Sequence, residues 1–106
     1  MDTPTLLQEA AARLEALAAR STAGDWRPGG LLASRPEVIA HRPDGSTEHV
    51  AEARASSAAW IVALSPAVAA PLAEWLRAAA TDPRPEQARA VAAVLLERLP
   101  PAPGVS

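Results

Sequence analysis

Two histidines and several glutamates near the middle of the chain are residue types that bind metal ions. His41 and His49 are the only histidines, and Glu37 and Glu48 lie close to them in sequence. If both imidazoles lie on one face of a β-hairpin, two histidines and a carboxylate could ligate Zn²⁺ or Fe²⁺. Their spacing matches no established ligand motif, so the alternative of two solvated polar side chains is preferred. We therefore predict no metal site and no cofactor.

The same carboxylates could act as a general acid and base. Glu37, Glu48 and Glu52 would have to approach one another within several ångströms, whereas hairpin glutamates more commonly keep an edge strand soluble. No serine lies in a G-x-S-x-G sequence, and the chain contains no Cys and no Lys. These absences exclude thiol nucleophiles, Schiff bases and the GxxxxGK[ST] phosphate loop. We predict no catalytic residue and a protein that is not an enzyme.

A pocket lined by aromatic and cationic side chains is the main alternative site. Trp26, Arg27, His41, His49 and Trp60 could together bind an anionic metabolite or a nucleotide. The chain has three tryptophans and neither Phe nor Tyr, so the tryptophans could instead supply the bulk of the core. Each buried indole removes about 150–250 Å² from water, which makes a core position the preferred prediction.

Charge and hydropathy limit the possible partners. The net charge is −2 and the arginines are scattered, which argues against nucleic-acid binding. No uninterrupted apolar run reaches the roughly 18 residues of a membrane span, and Asp2, Glu9 and Arg13 interrupt any secretory signal. We expect a cytoplasmic protein without a membrane partner. High Ala, Arg and Pro content without Lys or Asn is typical of a GC-rich, for example actinobacterial, genome.

Helical patterns occur at the N-terminus and in the second half of the chain. The first helix is predicted over Thr3–Arg20, with Thr3 as its cap and Pro4 in the first helical position, or with Thr5 and Gln8 as a capping box. Further helices are predicted over Ala53–Leu64, from Ser65 and Pro66 to about Ala79 with a kink at Pro71, and over Pro85–Leu99.

The segment between these helices has the signals of a small sheet. Extended candidates are Trp26 with its neighbours or Leu31–Ser34, then Glu37–Arg42, then Thr47–Ala53. The turn sequence Pro43-Asp44-Gly45 predicts a hairpin between the last two. A three-residue bulged loop would pair Val38 with Val50 and Ile39 with His49, whereas a two-residue loop would pair Ile39 with Val50. The first register is preferred.

Together these elements predict an α+β fold. It comprises an N-terminal helix, a small antiparallel β-sheet with a hairpin at about residues 37–53, and then two or three helices. We expect one domain over residues 1–99 and a flexible, Pro-rich tail over residues 100–106.

The composition also predicts self-association. Twenty-seven residues are Ala, so few large side chains remain to build a core. A core this thin is often completed by a second copy of the chain. Leu7, Leu14 and Leu17 lie on one face of the first helix and are the candidate interface of a homo-oligomer, with a dimer as the first expectation.

Short motifs resemble a known family. Ser21-Thr22-Ala23-Gly24-Asp25-Trp26 is similar to the ATPGPW-like segment of Ead-like proteins, small phage and actinobacterial proteins of unknown function, although both prolines differ. Val38-Ile39-Ala40, Val50-Ala51 and the segment from Ser57 to Val68 resemble the extended stretch, hairpin and DAxxIAxxxPxV helix that follow in the family. The resemblance covers about Leu6 to Leu76. It implies a cytoplasmic accessory protein of a phage or mobile element and supplies no catalytic residues.

The sequence therefore predicts a non-enzymatic, homo-oligomeric accessory protein that acts by binding an unidentified protein partner. Binding or sequestration of a small anionic metabolite or nucleotide is the alternative.

Overall fold

A computed structural model describes residues 1–29 and 36–103 and has the predicted α+β class. The helices are α1 (Thr3–Ala19), α2 (Ala55–Ala63), α3 (Ala69–Ala79) and α4 (Glu86–Arg98), with a short 3-10 helix over Pro66–Val68. The strands are β1 (Asp25–Gly29), β2 (Glu37–His41) and β3 (Thr47–Glu52).

The chain forms two compact units. The helical unit consists of Met1–Arg20 and Val68–Ser106, and the sheet unit consists of Ser21–Ala67. The first contains α1, α3 and α4, and the second contains the three strands and α2. The expectation of a single domain over residues 1–99 stays a prediction.

Small side chains dominate the core of the helical unit. Helix α1 packs against both α3 and α4, which make far fewer contacts with each other. Among the described residues, Leu7 and Leu76 are the only large side chains that are fully buried in this core. The other buried members are alanines: Ala10, Ala11, Ala73, Ala79, Ala88 and Ala92. Because the distance between helix axes depends on the side chains at the contact, alanines let these helices approach closely.

The N-cap of helix α1 lies one residue before the predicted one. The Asp2 Oδ1 atom accepts a hydrogen bond from the Thr5 backbone N–H at 2.8 Å, so Asp2 rather than Thr3 is the N-cap. Hydrogen bonding from the Thr5 side chain, together with this backbone hydrogen bond, lowers the pKa of the Asp2 carboxyl. A carboxylate at this position also interacts favourably with the positive end of the helix dipole. This interaction explains why Asp2 rather than Thr3 is the N-cap.

The predicted kink at Pro71 is wrong. The chain forms a 3-10 helix over Pro66–Val68 and starts α3 at Ala69, so Pro71 lies in the first turn. The backbone N–H groups of a first turn have no partner within their helix, and a proline there removes no hydrogen bond. The physical reason for the predicted kink, a hydrogen bond lost inside the helix, is therefore absent in α3.

The sheet unit contains an antiparallel sheet with strand order β1-β2-β3. Strand β1 includes Trp26, which agrees with one of the two predicted positions for the first strand. The other position, Leu31–Ser34, lies outside the described residues.

The hairpin between β2 and β3 has the predicted three-residue loop. The backbone N–H of Gly45, at φ +87°, donates to the carbonyl of Arg42 at 3.0 Å, and Asp44 Oδ1 accepts from the Ser46 backbone N–H at 2.9 Å. Ile39 pairs with His49 as expected. The expected pair of Val38 with Val50 is wrong.

A β-bulge is the reason for this difference in register. Val38 pairs with Ala51, and Val50 is the extra residue without a partner on β2. A bulge places two residues of one strand opposite one residue of its neighbour. It therefore shifts the pairing by one residue beyond Ile39 and leaves the loop unchanged.

Helix α2 covers one face of this sheet. Val38 and Ala40 alternate along β2 and are fully buried, whereas Glu37, Ile39 and His41 are half-buried on the other face. Helix α2 contacts β1 and β2, and its Ala58 is buried. The face with Val38 and Ala40 is therefore the one beneath α2.

We expect Gly24 to be important for the stability of the sheet unit. Its φ is +118°, and a Cβ atom there would lie 2.8 Å from the carbonyl oxygen of His41. We expect Gly24→Ala to lower the free energy of unfolding by about 2–3 kcal/mol, from backbone strain and this collision. Gly45→Ala is the control, since Gly45 has φ +87° but open space around it, and should cost about 1 kcal/mol.

Urea unfolding followed by tryptophan fluorescence measures both effects. A Trp75→Phe background restricts the signal to Trp26 and Trp60, which belong to the sheet unit. Equal costs for the two glycine variants would contradict the proposed collision with His41.

A bidentate ion pair connects α1 to α3. The Arg77 guanidinium donates to both carboxylate oxygens of Glu15, at 2.8 and 2.5 Å. These hydrogen bonds hold the pKa of the Glu15 carboxyl below its usual value.

The lowered pKa of Glu15 predicts a pH dependence. Its contribution to stability is fully present above the ordinary glutamate pKa and is lost as the pH falls through the lowered value in the folded protein. We expect Glu15→Gln to lower the melting temperature at pH 7 and to melt like the parent in strong acid. Glu74→Gln, which removes an exposed carboxylate of α3, is the control for loss of charge. A difference between Glu15→Gln and the parent that persists in strong acid would disprove this role.

Candidate functional site

The tryptophans do not occupy the core positions that the composition predicts for them. Trp60 is 69% exposed and Trp75 is 45% exposed. Trp26 is half-buried, and its indole N–H donates to the carbonyl of Thr22 at 3.0 Å. The prediction that the tryptophans occupy core positions is therefore wrong. For Trp75, which lies in the helical unit, the closely packed alanines of that core leave no space for an indole.

Trp60 belongs to an apolar face of α2 that points away from the sheet. Ser56, Ala59, Trp60 and Ala63 have spacings of three and four residues and share one side of the helix. They line an open groove of about 370 Å³. We call these four residues the outward face of α2. Leu64 follows them at the end of the helix and is 59% exposed.

The composition of α2 is unusual for a helix that is covered on one side only. Its sheet-facing side includes Ala58, Ile61 and Val62, and its outward face is also apolar. The helix contains no charged residue. Helices that are apolar all round are normally buried on all sides, so this face has the character of a surface that another molecule covers. The uncharged sequence ASSAAWIVA was the available signal for Ser56, Ala59 and Ala63, which the sequence prediction did not include.

The polar side chains of the sheet interact with one another at the surface. Glu37 Oε2 lies 3.8 Å from His49 Nδ1, a contact that becomes an ion pair when the imidazole is protonated. Glu48 pairs with Arg42 at 3.1 Å. Within residues 1–29 and 36–103, no three His, Asp or Glu side chains form a group that could hold a metal ion. The structure thus brings His49 to Glu37 without a third ligand.

The five residues of the predicted ligand pocket do not form one site. Trp26 pairs with Ala40 across the sheet and lies on the face beneath α2. Arg27 pairs with Ile39, and His41 and His49 lie on that same opposite face. Neighbouring residues of a strand point to opposite faces, so Trp26 and Arg27 cannot contact one ligand there. The Arg27 guanidinium pairs instead with Asp25 at 2.7 Å.

The predicted oligomer interface on α1 is reduced to two residues. Leu7 is fully buried in the core of the helical unit, so its side chain has no surface left for a second copy. Leu14 and Leu17 are half-buried. Leu7 has to be removed from the candidate interface because α1 packs against two helices at once.

Helix α4 has a second apolar face that the sequence prediction missed. Ala90, Val91, Val94 and Leu95 line a groove of about 390 Å³, and Val94 is 49% exposed. We call these four residues the α4 face. Val91 and Leu95 also contact the core of the helical unit. The available sequence signal for this face was the apolar pair Ala90 and Val91, which the pair Val94 and Leu95 follows at helical spacings of three and four residues.

The stretch Ala55–Ala79 is long and apolar enough to cross a membrane by length and composition alone, and an 18-residue window within it has a mean hydropathy of 1.5. A count of uninterrupted apolar residues overlooks it because serines and prolines divide it. The structure splits it into α2, the 3-10 helix and α3. Core packing of Ala73, Leu76 and Ala79 accounts for the apolar character of α3, whereas α2 buries only Ala58. The absence of a membrane partner stays a prediction.

Comparisons with protein-family models, curated proteins and solved structures give no match to this chain. The resemblance to Ead-like proteins therefore stays an expectation. Two of its matching residues have structural roles here: Gly24 adopts a positive φ beside His41, and Trp26 donates to the backbone of Thr22. Neither role involves chemistry on a ligand.

The exposure of Trp60 predicts a small effect on folding. We expect Trp60→Ala to change the free energy of unfolding by no more than about 0.5 kcal/mol, because exposed substitutions remove little packing. Val38→Ala, in the same unit but fully buried, should cost about 2 kcal/mol. Urea unfolding followed by far-ultraviolet circular dichroism measures both. A Trp60→Ala cost equal to that of Val38→Ala would place Trp60 in a core.

Proposed function

We propose that this protein is a non-enzymatic, homo-oligomeric accessory protein that acts by binding another protein through the outward face of α2. The observation that carries this proposal is Trp60, 69% exposed on a helix without a single charged residue. Exposed aromatic residues surrounded by small apolar ones are typical of the centres of protein–protein interfaces.

The chemistry of the groove favours a protein over the other occupants. A small polar ligand needs several placed polar groups, and the side chains of the four lining residues provide only the hydroxyl of Ser56 and the indole N–H of Trp60. A helix that binds a membrane surface commonly has Lys or Arg on its polar side, and α2 has neither. The partner that fits is a protein presenting an uncharged apolar segment.

The ionisable side chains of the sheet, which could in principle take part in catalysis, support a role without catalysis. Glu37 lies beside His49, Glu48 beside Arg42 and Asp25 beside Arg27, all at the surface of the sheet. Each carboxylate is thus placed beside a cationic or ionisable side chain of the protein itself. The proposed cytoplasmic location rests on the sequence expectations and on the family resemblance. The association with a phage or mobile element rests on the resemblance alone.

Photo-crosslinking tests the α2 surface directly. We expect benzoylphenylalanine in place of Trp60 to crosslink one protein reproducibly in the native host, and the same group in place of Asp44, in the hairpin turn, to leave that protein unlinked. The purified partner should then bind the parent chain at least tenfold more tightly than it binds Ala63→Arg. Thr47→Arg, on the sheet face opposite α2, should bind like the parent.

Three results would contradict the proposal. They are crosslinking to lipid alone, no adduct at position 60, and equal binding of the Ala63→Arg and Thr47→Arg variants.

A further inference from the structure

The chain continues after α4 with a proline-rich stretch, residues 99–103, which we call the proline segment. Each of its residues is a proline or directly precedes one. Proline fixes φ near about −65°, and a residue before a proline is restricted to extended backbone. Leu99 accordingly has φ −80° and ψ 140°. The proline segment is therefore predisposed to a polyproline II helix, which has about three residues per turn.

The exposure of the proline segment follows the period of this helix. Leu99 and Ala102 are half-buried, whereas Pro100, Pro101 and Pro103 are exposed. Residues three positions apart lie on the same side of a polyproline II helix. Pro100 and Pro103 therefore share one exposed side of the segment, and Pro101 lies on another.

The hydrogen-bonding groups of the proline segment complement those of the outward face of α2. Pro100, Pro101 and Pro103 have no backbone N–H, and a polyproline II helix makes no internal hydrogen bonds, so the segment presents mainly carbonyl acceptors. The side chains of the outward face provide two donors, the indole N–H of Trp60 and the hydroxyl of Ser56. Neither surface contains a charged side chain.

The two surfaces also match in length. Ser56 and Ala63, at the ends of the outward face, are about 10 Å apart along the axis of an α-helix. Pro100 and Pro103 are about 9 Å apart along a polyproline II helix. Trp60 lies between the ends of the outward face and is 69% exposed. Grooves lined by aromatic side chains are the surfaces on which polyproline II segments bind, so the chain contains both partners of such a contact.

We propose that the proline segment of one copy binds the outward face of α2 of a second copy, with Pro100 and Pro103 against Trp60. Both surfaces are exposed in the single chain, which leaves them available to a second copy. Reciprocal exchange between two copies gives a closed dimer with two identical contacts. The inference rests on the proposed function, because it concerns the same face, and it adds competition between self-association and binding of the protein partner.

Sedimentation velocity over a concentration series tests the contact. The parent chain should form dimers as its concentration rises. Combining Pro100→Ala with Pro103→Ala should raise the dissociation constant roughly tenfold or more, because both rings are lost from the binding side. Pro101→Ala is the matched control, since it makes the same change on another side of the segment, and it should dimerise like the parent. All three prolines are exposed and lie outside the helices and strands, so these variants should fold normally.

Mixing two defective variants tests which surfaces meet. Ala63→Arg places a charge in the outward face and keeps the proline segment, whereas the double proline variant keeps the outward face. Each should stay monomeric alone at concentrations where the parent dimerises. An equal mixture should form a heterodimer through the one intact contact. Far-ultraviolet circular dichroism checks that both variants are folded.

A synthetic peptide of residues 98–103 provides a probe that needs no variant of the chain. In excess it should convert parent dimers to monomers, because it occupies the outward face of α2. The same peptide with Pro100→Ala and Pro103→Ala should leave the dimers intact. Dimers that persist in excess parent peptide would count against the proposed contact.

Three outcomes of the association experiments would overturn the proposal. They are a parent chain that stays monomeric, a double proline variant that dimerises like the parent, and a mixture in which both variants remain monomers. In the second case the dimer exists but does not use the proline segment.

Crosslinking at position 60 separates this inference from the proposed function. In the purified chain, benzoylphenylalanine in place of Trp60 should crosslink to residues 99–103 of a second copy, identified by mass spectrometry of the digested adduct. An adduct within one chain, or with other residues of the second copy, would overturn the inference. In the native host, an adduct with a different protein supports the proposed function whichever result the purified chain gives, and its absence contradicts the proposed function alone.

Discussion

Close approach of helices through alanine side chains is the constraint on which the helical unit depends. Helix α1 contacts α3 and α4, and within the part of the chain that the structure describes Leu7 and Leu76 are the only large, fully buried side chains of that core. Each alanine contributes little apolar area, so stability must come from many short-range contacts between closely spaced backbones. The bidentate ion pair between Glu15 and Arg77 adds a polar contact between α1 and α3 beside this packing.

The same constraint decides where the larger apolar side chains are found. A core formed by alanines cannot accept an indole or many branched side chains without separating its helices. Trp75 and Val94, which belong to this unit, are accordingly exposed rather than enclosed. Thin packing inside and apolar residues outside thus have one physical origin in the helical unit.

Strand geometry has a comparable effect on the polar residues. Alternation along β1 and β2 separates Trp26 from Arg27 and places His41 and His49 on the face opposite α2. Residues that look concentrated in the sequence are therefore distributed over two surfaces of one sheet. The hydrogen bond from Trp26 to Thr22 and the positive φ of Gly24 show that the most distinctive motif serves to connect loop and strand.

Local chemistry made much of the fold predictable. Proline and glycine positions, helical periodicity and the Pro43-Asp44-Gly45 turn determined the α+β class, the positions of the helices to within a few residues and the hairpin loop, because each depends on backbone preferences of neighbouring residues. Tertiary structure alone decided the bulge at Val50, the burial of Leu7 and the exposure of Trp60. Burial depends on how closely distant segments pack, and a pattern along one helix identifies its apolar residues without showing which of them a neighbour will cover.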